Sequence, residues 1–281
     1  MKPKKLILLL FTALIMTNFC EAQTNKKTDL QKTGLKDAIR NVTEITYDVE
    51  YDSTEPTKGD KERTYFRIYD YNGYIVEYKY NNSNGDFTDN TFIHKYGNDG
   101  NRIEMSEYES DSLSFTIYFQ YDFDGYLIGE SYSFPDDSIK TWEIYYTYDS
   151  VGNMIEENWD NSDEFDASSS KWTYKYDTLG NVIESNSYSY NDSVYQSTTY
   201  LYDSEGNIIE ENTYNYSDSS FNNKITYEYD SHGNVIEEND YSSGIYKYAY
   251  KYDSHGNWIE RRISNAEGVV KKITEREIIY F

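Results

Sequence analysis

Residues 225–239 read Ile225-Thr-Tyr-Glu-Tyr-Asp-Ser-His-Gly-Asn-Val-Ile-Glu-Glu-Asn239, and this stretch decides the fold. Ile225, Tyr227 and Tyr229 fall two apart with Thr226, Glu228 and Asp230 between them, the alternation of a strand whose faces differ. Aromatic and β-branched side chains pack well on a pleated surface, which supports the same assignment. Asp230-Ser-His-Gly-Asn234 then supplies a turn. Asp accepts hydrogen bonds from amides two residues on, Gly takes the left-handed conformation that others resist, and Asn tolerates the exit. A type I turn with a glycine bulge fits these residues, with Val235 starting the returning strand. Tyr229 then faces Val235, while Ile236 projects from the opposite side of the sheet.

The unit is repeated. Its clearest copies are Tyr148, Asp149, Gly152, Asn153, Ile155; Tyr176, Asp177, Gly180, Asn181, Ile183; Tyr202, Asp203, Gly206, Asn207, Ile209; Tyr229, Asp230, Gly233, Asn234, Ile236; and Tyr252, Asp253, Gly256, Asn257, Ile259. Looser copies start at Tyr69, Tyr96 and Tyr121. The eight motif glycines, from Gly73 to Gly256, stand 23 to 28 residues apart, a period at which one supersecondary unit stacks on the next. Variable polar linkers such as Ser217 to Asn223 absorb the differences in spacing. Two strands per unit, a leading hairpin (Asn41 to Tyr51, Lys61 to Asp70) and a closing strand near Val269 to Phe281 make about eighteen strands. At ~4.8 Å per strand an open sheet would be on the order of 85 Å long, and sheets of that size curl. The expectation is an all-β chain, a repetitive antiparallel β-hairpin meander forming a curved or spiralling sheet over residues 40–281. Its last edge, Ile278 to Phe281, would be an association risk guarded by Arg261, Arg262, Lys271, Lys272 and Arg276.

Residues 1–22 read as a secretory signal peptide, with Lys2, Lys4 and Lys5 before the apolar run Leu6 to Met16 and a cut after Ala22. Residues 23–39 read as an N-terminal linker, and no integral membrane span remains after cleavage. The address is periplasmic, extracellular or cell-surface. Cys20, the single cysteine, leaves the exported chain without a disulfide, and its lipidation is the alternative that would anchor the chain. A net charge of −24 repels nucleic acid and anionic lipid. With 34 Tyr, 12 Phe and 4 Trp, the composition is opposite to the aromatic-poor signature of disordered chains.

The motif Tyr-Asp-x-x-Gly-Asn-x-Ile resembles the YD repeat of the Rhs family, whose copies read Tyr-Asp-x-x-Gly-Arg-Leu, over roughly Tyr65 to Ser264. The resemblance implies a β-sheet strip that winds into a shell and a role in secretion, toxin delivery or cell-surface contact. Asn153, Asn181, Asn207, Asn234 and Asn257 stand where that family has arginine, and neither a toxin segment nor an autoproteolytic core segment is recognisable. The chain is similar to short exported YD-repeat proteins, and no catalytic residue carries over.

Candidate sites are few. His232 and His255 share the turn position before the motif glycine, and His94 replaces a strand aromatic, so no hydrolase triad is indicated. Glu77, Glu104, Glu156, Glu184, Glu210, Glu237 and Glu260 share the position four after glycine. They read as a solvated acidic ladder, with Ca²⁺ or a basic partner as the sharper reading. The tyrosines read as a stabilising cross-strand ladder, with stacking on sugars or peptides as the rival. Irregular segments at Asn81 to Asn90, Phe134 to Trp142 and Asn158 to Ser170 break the repeat and are the better places for a specific site. The expectation is a non-enzymatic exported protein, without cofactor or metal, offering a β-surface for structural or binding roles at the cell envelope, with a glycan or envelope protein as partner. The alternatives are an outer-membrane β-barrel and a carbohydrate-active enzyme with its site in an irregular loop.

Overall fold

A computed structural model describes residues 27–52, 55–82, 90–135, 142–161, 170–189, 192–219 and 222–281; the signal-peptide assignment lies outside them. Each motif closes a hairpin by local forces. In the Asp230 copy the Gly233 N–H donates to the Asp230 carbonyl at 3.1 Å and the Asp230 N–H to the Asn234 carbonyl at 2.9 Å, a type I turn followed by Gly233 at φ +81°. The Asp230 carboxylate accepts from the His232 and Asn234 amides at 2.8 and 2.9 Å. Across the hairpin Tyr229 opposes Val235 while Glu228 opposes Glu237, so Ile236 is the extra residue of a β-bulge. The same shift recurs at all eight motif hairpins, where it adds twist and bends the strand.

The strands are β1 (Ile39–Asp52), β2 (Glu55–Tyr69), β3 (Ile75–Asn82), β4 (Asn90–Tyr96), β5 (Arg102–Glu109), β6 (Ser112–Tyr121), β7 (Leu127–Ser133), β8 (Trp142–Tyr148) and β9 (Met154–Asn161). There follow β10 (Ser170–Tyr176), β11 (Val182–Tyr188), β12 (Val194–Tyr202), β13 (Ile208–Asn215), β14 (Asn223–Tyr229), β15 (Val235–Asp240), β16 (Gly244–Tyr252), β17 (Trp258–Asn265) and β18 (Val270–Tyr280). Every strand pairs antiparallel with its sequence neighbours, and β1 also pairs with β18, Val42 opposite Ile278 and Thr46 opposite Thr274. The result is a closed 18-stranded antiparallel barrel. This corrects the expectation of an open, curved or spiralling sheet: the repeats curl far enough for the long leading and closing strands to meet. The edge expected at Ile278 to Phe281 is therefore paired with β1, and the Phe281 N–H donates to the Ala38 carbonyl at 3.1 Å.

One wall face is buried. Tyr78, Phe92, Met105, Phe115, Ile117, Tyr132, Ile144 and Tyr146 form its main cluster, drawn from β3 to β8. No described element lies outside the wall to cover its other face, so the buried face is the inward one. Its parity switches at the bulge: Ile225, Tyr227 and Tyr229 lie on it before the turn, and Val235, Glu238 and Asp240 after.

Ahead of the barrel, α1 (Asp29–Lys32) is capped by Thr28, whose hydroxyl accepts from the Gln31 amide while the Gln31 side chain accepts from the Thr28 amide. Leu30 and Leu35 pack on Ile39, Val42 and Tyr69. This strap follows the rim formed by the motif turns: the Leu30 N–H donates to the Gly73 carbonyl at 2.9 Å, and Lys36 is held by Asn257. The described part of the stretch read as a linker thus joins the first motif turn to the last.

Candidate functional site

The inward face carries a repeated polar system laid over the aromatic one. The motif tyrosine of one unit donates its hydroxyl to the carbonyl two residues after the glycine of the unit before: Tyr96 to Ile75, Tyr121 to Arg102, Tyr148 to Leu127, Tyr176 to Met154, Tyr202 to Val182 and Tyr229 to Ile208, at 2.5–2.9 Å. Bulging leaves that carbonyl outside the regular ladder, and the phenol satisfies it. At the end of the chain the latch moves: Tyr250 takes the Val235 carbonyl, while Tyr252 donates to the Asp230 carboxylate and Tyr280 to that of Asp253. His232 and His255 stack on Tyr252 and Tyr280 at 4.6 and 4.0 Å between centroids, which gives both turn histidines a packing role.

Five residues after glycine the inward position carries Glu130, Glu157, Glu211 and Glu238. Each accepts from a tyrosine of the following unit: Tyr146 on Glu130 at 3.0 Å, Tyr174 on Glu157 at 3.4 Å, Tyr227 on Glu211 at 3.2 Å and Tyr248 on Glu238 at 2.8 Å. Burial pushes Glu130 up to about 7, and Glu157 and Glu211 rise for the same reason. Glu107, where Asn90 donates at 2.7 Å, is also pushed by burial to about 7. Burial raises Tyr146 and Tyr174 as well, so these phenols act as hydrogen-bond donors. His94 is largely buried, held neutral by a fall to about 3, and its ring nitrogens make no hydrogen bond within the chain. The arrangement can hold polar or aromatic groups by hydrogen bonding and stacking.

The ladder four after glycine lies on the outer face, where cross-strand lysines answer most of it. Glu104 pairs with Lys95, Glu184 with Lys175, Glu210 with Lys224, Glu237 with Lys247 and Glu260 with Lys251, at 2.5–3.6 Å. Among the described residues no group of three or more His, Cys, Asp and Glu side chains could hold a metal ion. The turn residues act together: Asn153, Asn181 and Asn207 donate their side-chain amides to Asp149, Asp177 and Asp203 at 2.9–3.0 Å. Residues 83–89, 136–141 and 162–169 of the irregular segments lie outside the described residues. The inward carboxylate row is what the sequence reading missed. Its signal was present one position beyond the counted glutamates, hidden by the parity change at the bulge.

No family model matches the chain, and no curated protein does. Among solved structures it is similar to a porin-like protein from Bacteroides uniformis ATCC 8492, at 11% identity over 86% of this chain and 98% of that one, TM-score 0.45. A porin-like protein from Bacteroides vulgatus ATCC 8482 matches at 12% identity over 87% and 99%, TM-score 0.39. A TcdB2-TccC3-Cdc42 structure matches at 14% identity over 82% of this chain and 14% of that one, TM-score 0.39. At these TM-scores the likenesses fix neither fold nor function.

Proposed function

We propose that this chain is a non-enzymatic, exported β-barrel of the cell envelope that stands in water and serves structural or binding roles there, with a glycan or an envelope protein as its partner class. The observation that carries this reading is the sense of the wall. The buried aromatic cluster points inward, and the outward face, where Tyr118, Tyr145, Tyr214 and Leu201 stand exposed, is studded with the ion-paired Lys95, Glu104, Lys175, Glu184, Lys224, Glu210, Lys251 and Glu260. A lipid-facing wall has the opposite polarity, and a lysine or arginine at the bilayer midplane costs about 2–4 kcal/mol. The exported chain should be recovered without detergent as a monodisperse β-rich species. A chain that aggregates until detergent is added, and stays with carbonate-washed membranes, overturns the reading.

That outcome would favour the second reading, an outer-membrane barrel. It draws support from the closed, even-numbered meander, with tight motif turns on one rim and variable connections on the other. No helix among the described residues is long and apolar enough to cross a membrane, which does not bear on a barrel.

A further inference from the structure

We infer that the inner wall across β17, β18, β1 and β2 binds an acidic saccharide, with arginines taking its carboxylate or sulfate groups and neighbouring hydroxyls taking its sugar oxygens. Five residues after glycine the inward position carries Glu130, Glu157, Glu211 and Glu238, but in the last motif copy it carries Arg261. Arg276 lies opposite Glu44 on β1, and Arg67 lies opposite Tyr78 of the buried cluster, so both also face inward. The carboxylate among these three guanidiniums is Glu44, which accepts from Arg276 Nε at 2.8 Å. Among the described residues Arg67 and Arg261 form no ion pair, and the buried Nε of Arg261 has no hydrogen-bond partner. Their guanidiniums are held by stacking: Arg67 at 5.7 and 5.6 Å from the Tyr65 and Tyr78 rings, Arg261 at 5.2 Å from Trp258, with Arg276 at 3.3 Å from the same indole. Burial lowers the pKa of Arg276; Glu44 opposes this, and Arg67 and Arg261 add to it, so the three like charges repel one another. In a chain of net charge −24 they leave a local excess of positive charge inside the barrel. A repeat broken at one position, with like charges gathered there, marks a site for a ligand of opposite charge.

The register selects a saccharide over a single small anion. Arg63 on β2, Thr46 on β1, Thr274 on β18 and Arg261 on β17 stand in one row, each opposite the next. The row spans three strand spacings, ~14 Å, which exceeds one oxyanion and suits a chain of a few sugar units. Between its arginine ends lie the Thr46 and Thr274 hydroxyls, 3.1 Å apart, and beside it the Tyr65 hydroxyl accepts from Arg63 at 2.9 Å. Charged ends with hydroxyls between them complement a sugar acid, whose oxyanions alternate with neutral hydroxyls. A planar guanidinium forms paired hydrogen bonds with a carboxylate or a sulfate, and stacking holds it in place to do so. Arg63 is exposed although it faces inward, so the row is open to water inside the barrel.

This inference rests on the reading of an envelope barrel that stands in water with a glycan partner, and its test separates the two. The exported wild-type chain is titrated calorimetrically with trigalacturonate, sulfated maltotriose, maltotriose, triglutamate and inorganic sulfate. One or both charged trisaccharides should bind more tightly than the other three probes, and the tighter of the two identifies the oxyanion. Arg261→Gln and Arg67→Gln should each weaken that binding roughly tenfold, while Lys95→Gln on the outer wall leaves it unchanged. Arg261→Lys, which keeps the charge but not the fork, should recover only part of the loss. The bound trisaccharide should also raise the wild-type melting temperature, a readout that needs no variant. A soluble wild type that binds neither charged trisaccharide, or Gln variants that bind as tightly as wild type, overturns this inference alone. Equal binding of maltotriose overturns it and leaves a glycan partner standing. Equal binding of sulfate overturns it in favour of a simple ion site, and tighter binding of triglutamate in favour of an acidic peptide. A wild type that needs detergent overturns the earlier reading.

Discussion

Glu130 and the turn aspartates titrate in opposite senses, and together they set the pH at which the barrel is most stable. A carboxyl raised in the folded state favours folding while protonated. The contribution of Glu130 and Glu107, both at about 7 against 4.5 unperturbed, is complete below about pH 4.5 and is lost as pH rises through 7. Asp177 and Asp203 are held below 3.8 by the side chains of Asn181 and Asn207 and by turn amides. Their contribution is present above that value and is lost as pH falls below it. Melting temperature should therefore peak near pH 5 and decline on both sides. Glu130→Gln keeps an acceptor for Tyr146 but cannot ionise, so it should flatten the alkaline limb and exceed wild type by about 2 kcal/mol at pH 8 in denaturant titrations. A peak at pH 8, or an unchanged limb in the variant, contradicts this. The motif glycines give a second contrast. At Gly233, φ +81° with open space around it, alanine should cost about 1–2 kcal/mol from conformation alone. At Gly152 a Cβ would run into the Tyr126 hydroxyl, so Gly152→Ala should lose more in the same titration.

Among the elements, the hairpins were legible and the strap was not, for a single physical reason. A hairpin is specified within about fifteen residues by alternation, Asp, Gly and Asn, so its turn could be written down from residues 225–239 alone. The strap is specified by partners far along the chain: the Asn257 side chain accepts from the Lys36 N–H at 2.7 Å and donates to its carbonyl at 3.0 Å. Asp29 accepts from the Ile75 amide at 2.9 Å, the Tyr96 hydroxyl at 2.7 Å and Arg102 at 3.4 Å. None of these contacts leaves a periodic trace. Asp29→Ala strands the three-quarters-buried Arg102, and should cost about 2–3 kcal/mol in chemical denaturation. Asn257→Ala should cost about 1 kcal/mol and open the bond after Lys36 to trypsin before the barrel melts. Protection of that bond at the wild-type level would show that the strap does not depend on Asn257.

For the whole molecule, two strands per repeat gave the count of eighteen, but the count does not say whether a sheet closes. Closure depends on strand tilt, stagger and the coil added at each bulge, small per-residue quantities that accumulate around the circumference and have no local signature. The pairing that completes the barrel joins residues more than two hundred positions apart, as in Thr46 opposite Thr274, whose hydroxyls stand 3.1 Å apart on the inner face. That pair provides the most direct check of architecture. In an open strip β1 and β18 occupy opposite ends on the order of 80 Å apart at ~4.8 Å per strand, whereas in the barrel they are neighbours. The double variant Thr46→Cys, Thr274→Cys should therefore form an intramolecular disulfide under mild oxidation, with Cys20→Ser included to remove the one native thiol. Directly opposed residues lie near the Cα separation that a disulfide requires. The expected readouts are faster migration on a non-reducing gel, loss of both free thiols in the monomer, and a stability gain of about 4 kcal/mol that disappears on reduction. Thiols that stay free, or that link only between chains, would contradict a closed barrel and restore the open strip.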